Sequence, residues 1–228
     1  QQLLNDSLGG CRDDINQSFR AGFPLLEVKL STLLASNDKK LVKWQDKLQT
    51  LVRDEIIGRD QTTLAQCLVD LLTAQGKTLT TAESCTGGLI ASMMTEVAGA
   101  STAFHAGLVT YSNEMKQALL GVASVTLEKY GAVSEEVAIE MFNGALKASQ
   151  SDYAIAVTGI AGPDGGSKDK PVGTVWIAWG SKNTLKTRKM QLNSSRAWFQ
   201  KMVASCCLDL VRRELQGITA TPRYFQRY

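Results

Sequence analysis

The chain has 228 residues, 44% of them apolar and 21% charged, which suits one large domain or a medium domain with a small companion. A net charge of +3 with no basic run argues against nucleic acid as a partner, and no apolar stretch approaches the roughly 20 residues of a membrane helix. Five scattered cysteines without a C-x-x-C pair argue against a disulfide framework and a zinc site, and fit a reduced cytoplasm.

The opening QQLLNDSLGG lacks the build of a signal peptide and an initiator Met, so we expect the chain to start inside a longer polypeptide. A helix is expected over about Leu3 to Phe19. From Pro24, PLLEVKLST alternates Leu26, Val28 and Leu30 on one face, as a half-buried strand does. A charged helix over about Asn37 to Ile57 carries Leu41, Trp44, Leu48 and Leu51 at helical spacing. Such a unit is too small to hold a good core alone, so residues 1–58 read as an accessory α+β segment.

Composition shifts near Arg59, where the main domain, 59–222, is expected to begin before a tail over 223–228. Asp60 is the expected cap of a helix with a Leu64, Leu68 and Leu71 stripe, stopped by Gly76. A strand follows at about Lys77 to Ala82, then a helix from Gly87 to Val97 and a strand from Ala106 to Tyr111. Helices are expected over Asn113 to Leu120 and near Val125 to Tyr130. Ser134 caps a long helix from Glu135 to Ser149 with Ala138, Phe142, Ala145 and Leu146 on one face. YAIAVTG is a buried strand. VGTVWIAWG and TLKTRKMQL form a strand pair, and Ser194 or Ser195 caps a last helix carrying Phe199, Met202, Val203, Cys206 and Leu210. Strands alternating with helices predict an α/β fold, a three-layer α/β/α sandwich with a mixed sheet.

Three loops carry the chemistry. ESCTGG lies between a strand and a helix, where free N–H groups and the helix dipole suit an oxyanion or a phosphate. It lacks the spacing of a G-x-S-x-G elbow and of a P-loop. Ser84 and Cys85 are both candidate nucleophiles; the plain alternative is a Ser84 or Thr86 cap beside a packed Cys85. The single histidine, His105, would have to serve any imidazole mechanism, and two-histidine metal sites are impossible within one chain.

GLVTYSNEMK repeats the strand-to-helix arrangement, with Lys116 in the first turn. The dipole repels a cation there, and desolvation would lower its pKa further, so a neutral amine could act as a base. Ser-Lys pairs are a known variant of the serine nucleophile scheme, and Tyr111 could orient the lysine or relay a proton. A solvated surface lysine is the alternative. AVTGIAGPDGGSKDKPVGTV offers several backbone donors and a segment able to close over a ligand, or a long surface hairpin. Ser194, Ser195 and Arg196 could hold a phosphate, or simply start a helix.

The motifs TTAESCTGG, VTYSNEMK, GAVSEEVAIEM, AVTGIAGPDGG and KPVGTVWIA, in this order, resemble the CinA family, and specifically its C-terminal nicotinamide-nucleotide amidase domain, over about Arg59 to Leu215. The resemblance implies a Ser/Lys amidohydrolase that converts nicotinamide mononucleotide to nicotinate mononucleotide and ammonia, recycling pyridine nucleotide for NAD synthesis without a cofactor or metal. It implies Ser84 as nucleophile, Lys116 as base and Tyr111 beside it. The first loop would contribute Glu83, Thr86 and Gly87 to substrate binding, with oxyanion donors at Thr86 and Gly87. Asn113 follows from the second loop, Thr158, Gly159 and Gly162 from the third, and Arg196 from the last helix. Where relatives often carry Gly-Asp-Arg and further arginines, this chain has Ser194, Ser195 and Arg196, then Gln200 and Lys201. Residues 1–58 resemble the KH-like connecting segment of longer members, which implies a preceding molybdopterin-binding-like domain, and the family resemblance as a whole implies a homodimer. A catalytically silent nucleotide-binding regulatory module is the alternative function.

Overall fold

The computed structural model describes residues 15–22, 25–32 and 38–226, which fall into two compact units, 1–61 and 62–228. In the first unit, strands β1 (Ile15–Gly22) and β2 (Leu25–Thr32) pair antiparallel, Ile15 opposite Thr32 and Gly22 opposite Leu25. Helix α1 (Asp38–Val52) packs on β2, and a 3₁₀ turn, Arg53–Glu55, ends it. Where a helix through Phe19 was expected, the chain is extended from Ile15. Ile15, Gln17 and Phe19 alternate inward along β1, and that period has meaning only once β2 lies alongside. The rest of that expected helix, and the expected starts at Pro24 and Asn37, lie outside the described residues.

The second unit holds helix α2 (Leu64–Ala74), strand β3 (Leu79–Glu83), helix α3 (Leu89–Thr95), strand β4 (Phe104–Val109), and helices α4 (Asn113–Leu120), α5 (Ser124–Tyr130) and α6 (Glu135–Ser149). Strands β5 (Tyr153–Gly159), β6 (Thr174–Ser181) and β7 (Lys186–Gln191) and helix α7 (Arg196–Leu215) complete it. The sheet order is β4-β3-β5-β6-β7, with β4, β3 and β5 parallel and β6 and β7 antiparallel to their neighbours. Helix α6 covers one face, backed by α4 and α5; α3 and α7 cover the other, backed by α2. This is the expected mixed-sheet sandwich. Thr63, rather than Asp60, caps α2 by accepting from Gln66 N–H; Asp60 sits in a turn with φ 51°.

Small side chains set the layer spacing. Ala82, Ala154, Ala156 and Ala178 present one face to Met141, Phe142 and Ala145 of α6. By strand alternation, Glu83 then faces the α3 and α7 layer. A Cβ on Gly144 of α6 would lie 2.0 Å from the Leu120 carbonyl oxygen, so only glycine lets α6 cross so close to the end of α4. That crossing seats the helix carrying Lys116. No helix among the described residues is long and apolar enough to cross a membrane.

Candidate active site

Strand β3 is followed in the chain by β4 on one side and later by β5 on the other, so the sheet order reverses at its carboxyl end. Such a switch point opens a crevice between diverging connections. A cavity of about 230 Å³ lies there, lined from the β3 end by Ser84 and Cys85 and from the β4 end by Tyr111, Asn113 and Lys116. Thr158, Gly159 and Ala161 supply the β5 side, Ala132 and Val133 one wall, and Arg196 the far rim.

The serine turn is built around a buried acid. Glu83 is fully buried, and its carboxylate accepts from the N–H groups of Gly88 (3.1 Å), Ile90 (3.1 Å) and Ala91 (2.8 Å) and from the Thr86 hydroxyl (2.7 Å). The charge thus occupies the orphan donors at the start of α3. Gly87 and Gly88 take φ of 66° and 94°, and the Gly87 N–H closes the turn onto the Ser84 carbonyl at 3.1 Å. Two expectations are corrected here. Glu83 does not face the cavity, and the Gly87 N–H is already taken, so it is not an oxyanion donor. The Thr86 side chain and Gly162 also lie off the lining; the Gly162 carbonyl instead accepts from Arg196 at 3.0 Å.

Ser84 and Lys116 meet. Lys116 Nζ lies 3.1 Å from Ser84 Oγ and donates to the Thr110 carbonyl at 2.9 Å. The lysine is 1% exposed, and no carboxylate pairs with it among the described residues. Burial holds its pKa below the usual lysine range, with Cys85 and Glu114 pulling weakly the other way. Ser112 caps α4 through Met115 N–H, which places Lys116 one turn in.

Burial pushes the Cys85 thiol up to about 12, which leaves it protonated and a poor nucleophile. His105 is exposed near the start of β4, about 20 Å of strand from the cavity end by residue rise, so no imidazole serves the site. Tyr111 lies at the mouth, 61% exposed, and its hydroxyl accepts from Arg196 at 2.6 Å. The Thr158 hydroxyl donates to the Ala132 carbonyl, tying β5 to the wall that precedes α6.

Several backbone donors at the site have no partner among the described residues, that of Cys85, on the lining beside Ser84, included. The Thr86 N–H makes no hydrogen bond among the described residues, although Thr86 is 3% exposed and buried N–H groups are nearly always paired. Ile160 donates to Thr174 across the β6 ladder, so alternation turns the preceding N–H, that of Gly159, towards the β3 side where Ser84 sits. Gln200 donates to the Cys85 carbonyl at 2.9 Å, a contact the sequence reading missed. Its only trace in sequence is its place one helical turn after Arg196.

The family model described as the CinA C-terminal domain matches residues 61–215. A CinA-like protein of Colwellia psychrerythraea is 48% identical over 231 residues, covering 98% of this chain and 52% of its own length. A CinA-like protein of Endomicrobium trichonymphae is 45% identical over 216 residues, covering 93% of this chain and 50% of that protein. The chain thus spans about half the length of the curated relatives it matches. Among solved structures, competence/damage inducible protein CihA from Agrobacterium tumefaciens is similar at a TM-score of 0.64 and 42% identity, covering 65% of this chain and 91% of that one.

Proposed function

The chain belongs to the CinA family, and on that premise we propose that it is an amidohydrolase converting nicotinamide mononucleotide and water to nicotinate mononucleotide and ammonia. The observation that carries this reading is the buried Lys116 amine, without a counter-ion among the described residues, 3.1 Å from the Ser84 hydroxyl in a cavity that both line. A neutral amine in that place is a base of matched strength for a serine hydroxyl.

In the first step Lys116 takes the Ser84 proton as Oγ bonds to the carboxamide carbon, and the carbonyl π pair moves to oxygen. The N–H groups of Cys85, Thr86 and Gly159 are the donors available to that oxyanion, a well-aimed one being worth about 3 kcal/mol. The C–N bond then breaks as the Lys116 ammonium returns its proton to nitrogen, releasing ammonia and leaving an ester on Ser84. Water attacks the ester, Lys116 accepts its proton, and the proton passes to Ser84 as the acid leaves. Arg196, at the rim, is the cation available to a phosphate.

The same reading places the protein in the cytoplasm as a homodimer, with a molybdopterin-binding-like domain in the remaining half of the full-length chain. The test is ammonia release from nicotinamide mononucleotide set against free nicotinamide. Release from the nucleotide and not the free base is expected. Calorimetric binding without release would leave a silent nucleotide-binding module in place of an enzyme.

A further inference from the structure

Helix α7 touches the site twice on one face. Arg196 reaches the Tyr111 hydroxyl and the Gly162 carbonyl, and Gln200, four residues on, reaches the serine turn. The Gln200 amide nitrogen donates to the Cys85 carbonyl, which belongs to the peptide unit joining Cys85 to Thr86. A trans peptide is planar, so its C=O and its N–H point in opposite directions. A donor fixed on the Cys85 oxygen therefore fixes the direction of the Thr86 N–H.

That restraint adds to those elsewhere in the turn: the Ser84 carbonyl holds the Gly87 N–H and Glu83 holds the Gly88 N–H, but neither bond is made by the Cys85–Thr86 peptide itself. The Thr86 hydroxyl is tied to Glu83, but a side-chain anchor does not set the plane of the preceding peptide. The hydrogen bond from Gln200 also polarises that peptide and strengthens its N–H as a donor.

We infer that Gln200 is a positioning residue: it holds the Cys85–Thr86 peptide so that the Thr86 N–H meets the oxyanion formed at Ser84. The inference rests on the Ser84 and Lys116 reading and adds to it the group that organises the oxyanion donor.

Three variants test it: Gln200→Leu, of similar volume without a donor; Gln200→Glu, which sets an acceptor against the Cys85 carbonyl; and Gln200→Lys, which keeps a donor. Two rates are read, ammonia release from nicotinamide mononucleotide and phosphonylation of Ser84 by a small fluorophosphonate, which uses the oxyanion donors but no nucleotide contacts. Gln200→Leu should lower kcat by about 10- to 100-fold with KM within about twofold, and phosphonylation should slow in parallel. The pH midpoint should not move, since Lys116 is untouched, and Gln200→Glu should be slower still. Gln200→Lys should recover most of the lost rate, which a purely structural role would not require. Wild-type rates in Gln200→Leu, or a Gln200→Lys variant as slow as Gln200→Leu, would overturn the inference. If the wild-type protein is phosphonylated but releases no ammonia, the substrate reading fails while the phosphonylation rates still decide the role of Gln200.

Discussion

The Lys116 amine and the Ser84 hydroxyl lie 3.1 Å apart, the serine in the turn after β3 and the lysine on the helix after its parallel neighbour β4, and the lysine is 1% exposed. The Thr110 carbonyl holds one face of the amine, which leaves the serine as its other polar neighbour. Acting as a unit, the two groups should fail as a unit. Ser84→Ala and Lys116→Met are each expected to lower kcat by about 10³-fold or more, and the double variant should be no slower than either. Multiplying losses, measured by ammonia release with folding checked by circular dichroism, would sink the dyad.

Much of this site was legible in sequence because its parts sit at strand-to-helix transitions. Ser134 and the acids after it marked α6 to the residue, and YAIAVTG could hardly be other than a buried strand. The corrections share one cause: main-chain geometry has no letter in the sequence. Gly87 looked like an open donor, but the turn through Cys85 and Thr86 brings its N–H back onto the Ser84 carbonyl. Glu83 looked like a polar ligand group beside a serine, but strand alternation sends it under α3. Gln200 was unreadable because its partner is a carbonyl 115 residues away.

The lysine also sets the pH behaviour. Burial lowers its folded-state pKa below the 10.5 of an ordinary lysine. Activity needs the neutral amine, so kcat should rise with pH through the lowered value and then level. Stability follows the same shift. Between the folded and unfolded values the unfolded chain binds the extra proton, so stability rises with pH there; below the folded value the protein carries the full cost of a buried ammonium. Lys116→Met removes that cost. Its melting temperature minus that of the wild type should be greatest at low pH and shrink as pH rises towards 10.5. A difference independent of pH would show that the amine titrates normally.

Cys85 touches the same cavity without the chemistry of a nucleophile. A thiol pushed up to about 12 is ionised to roughly one part in 10⁵ at pH 7. Cys85→Ala should keep kcat within about fivefold, and iodoacetamide should leave wild-type ammonia release intact over the time that labels an ordinary thiol. Abolished turnover in Cys85→Ala with nucleotide binding intact would transfer the attacking role to sulfur.

Glu83 stabilises the turn from beneath. Its carboxylate meets three backbone N–H groups and a hydroxyl, all within 3.1 Å, in a fully buried place. Glutamine keeps the shape but turns a donor towards donors. Glu83→Gln is expected to cost about 2–3 kcal/mol, since hydrogen bonds to a charged group are the costly ones to lose. For a chain of this size that lowers the melting temperature by about 5–10 °C. An unchanged melting temperature would mean that the turn is held by other contacts.

Arg196 bears on which part of the substrate the rim recognises. Its guanidinium now bridges the Tyr111 hydroxyl and the Gly162 carbonyl, both neutral acceptors that a phosphate would outcompete as a charged one. On the proposed reading the cavity floor, with Ser84 and Lys116, takes the carboxamide, so phosphate affinity and chemistry would lie at separate ends. Arg196→Ala should raise KM for nicotinamide mononucleotide about 30-fold, as loss of roughly 2 kcal/mol implies, with a smaller change in kcat. Nicotinamide riboside, which lacks the phosphate, should be a poor substrate for the wild type and no poorer for the variant. If both substrates lose equally, Arg196 shapes the cavity through Tyr111 and Gly162, and the phosphate is held by another group.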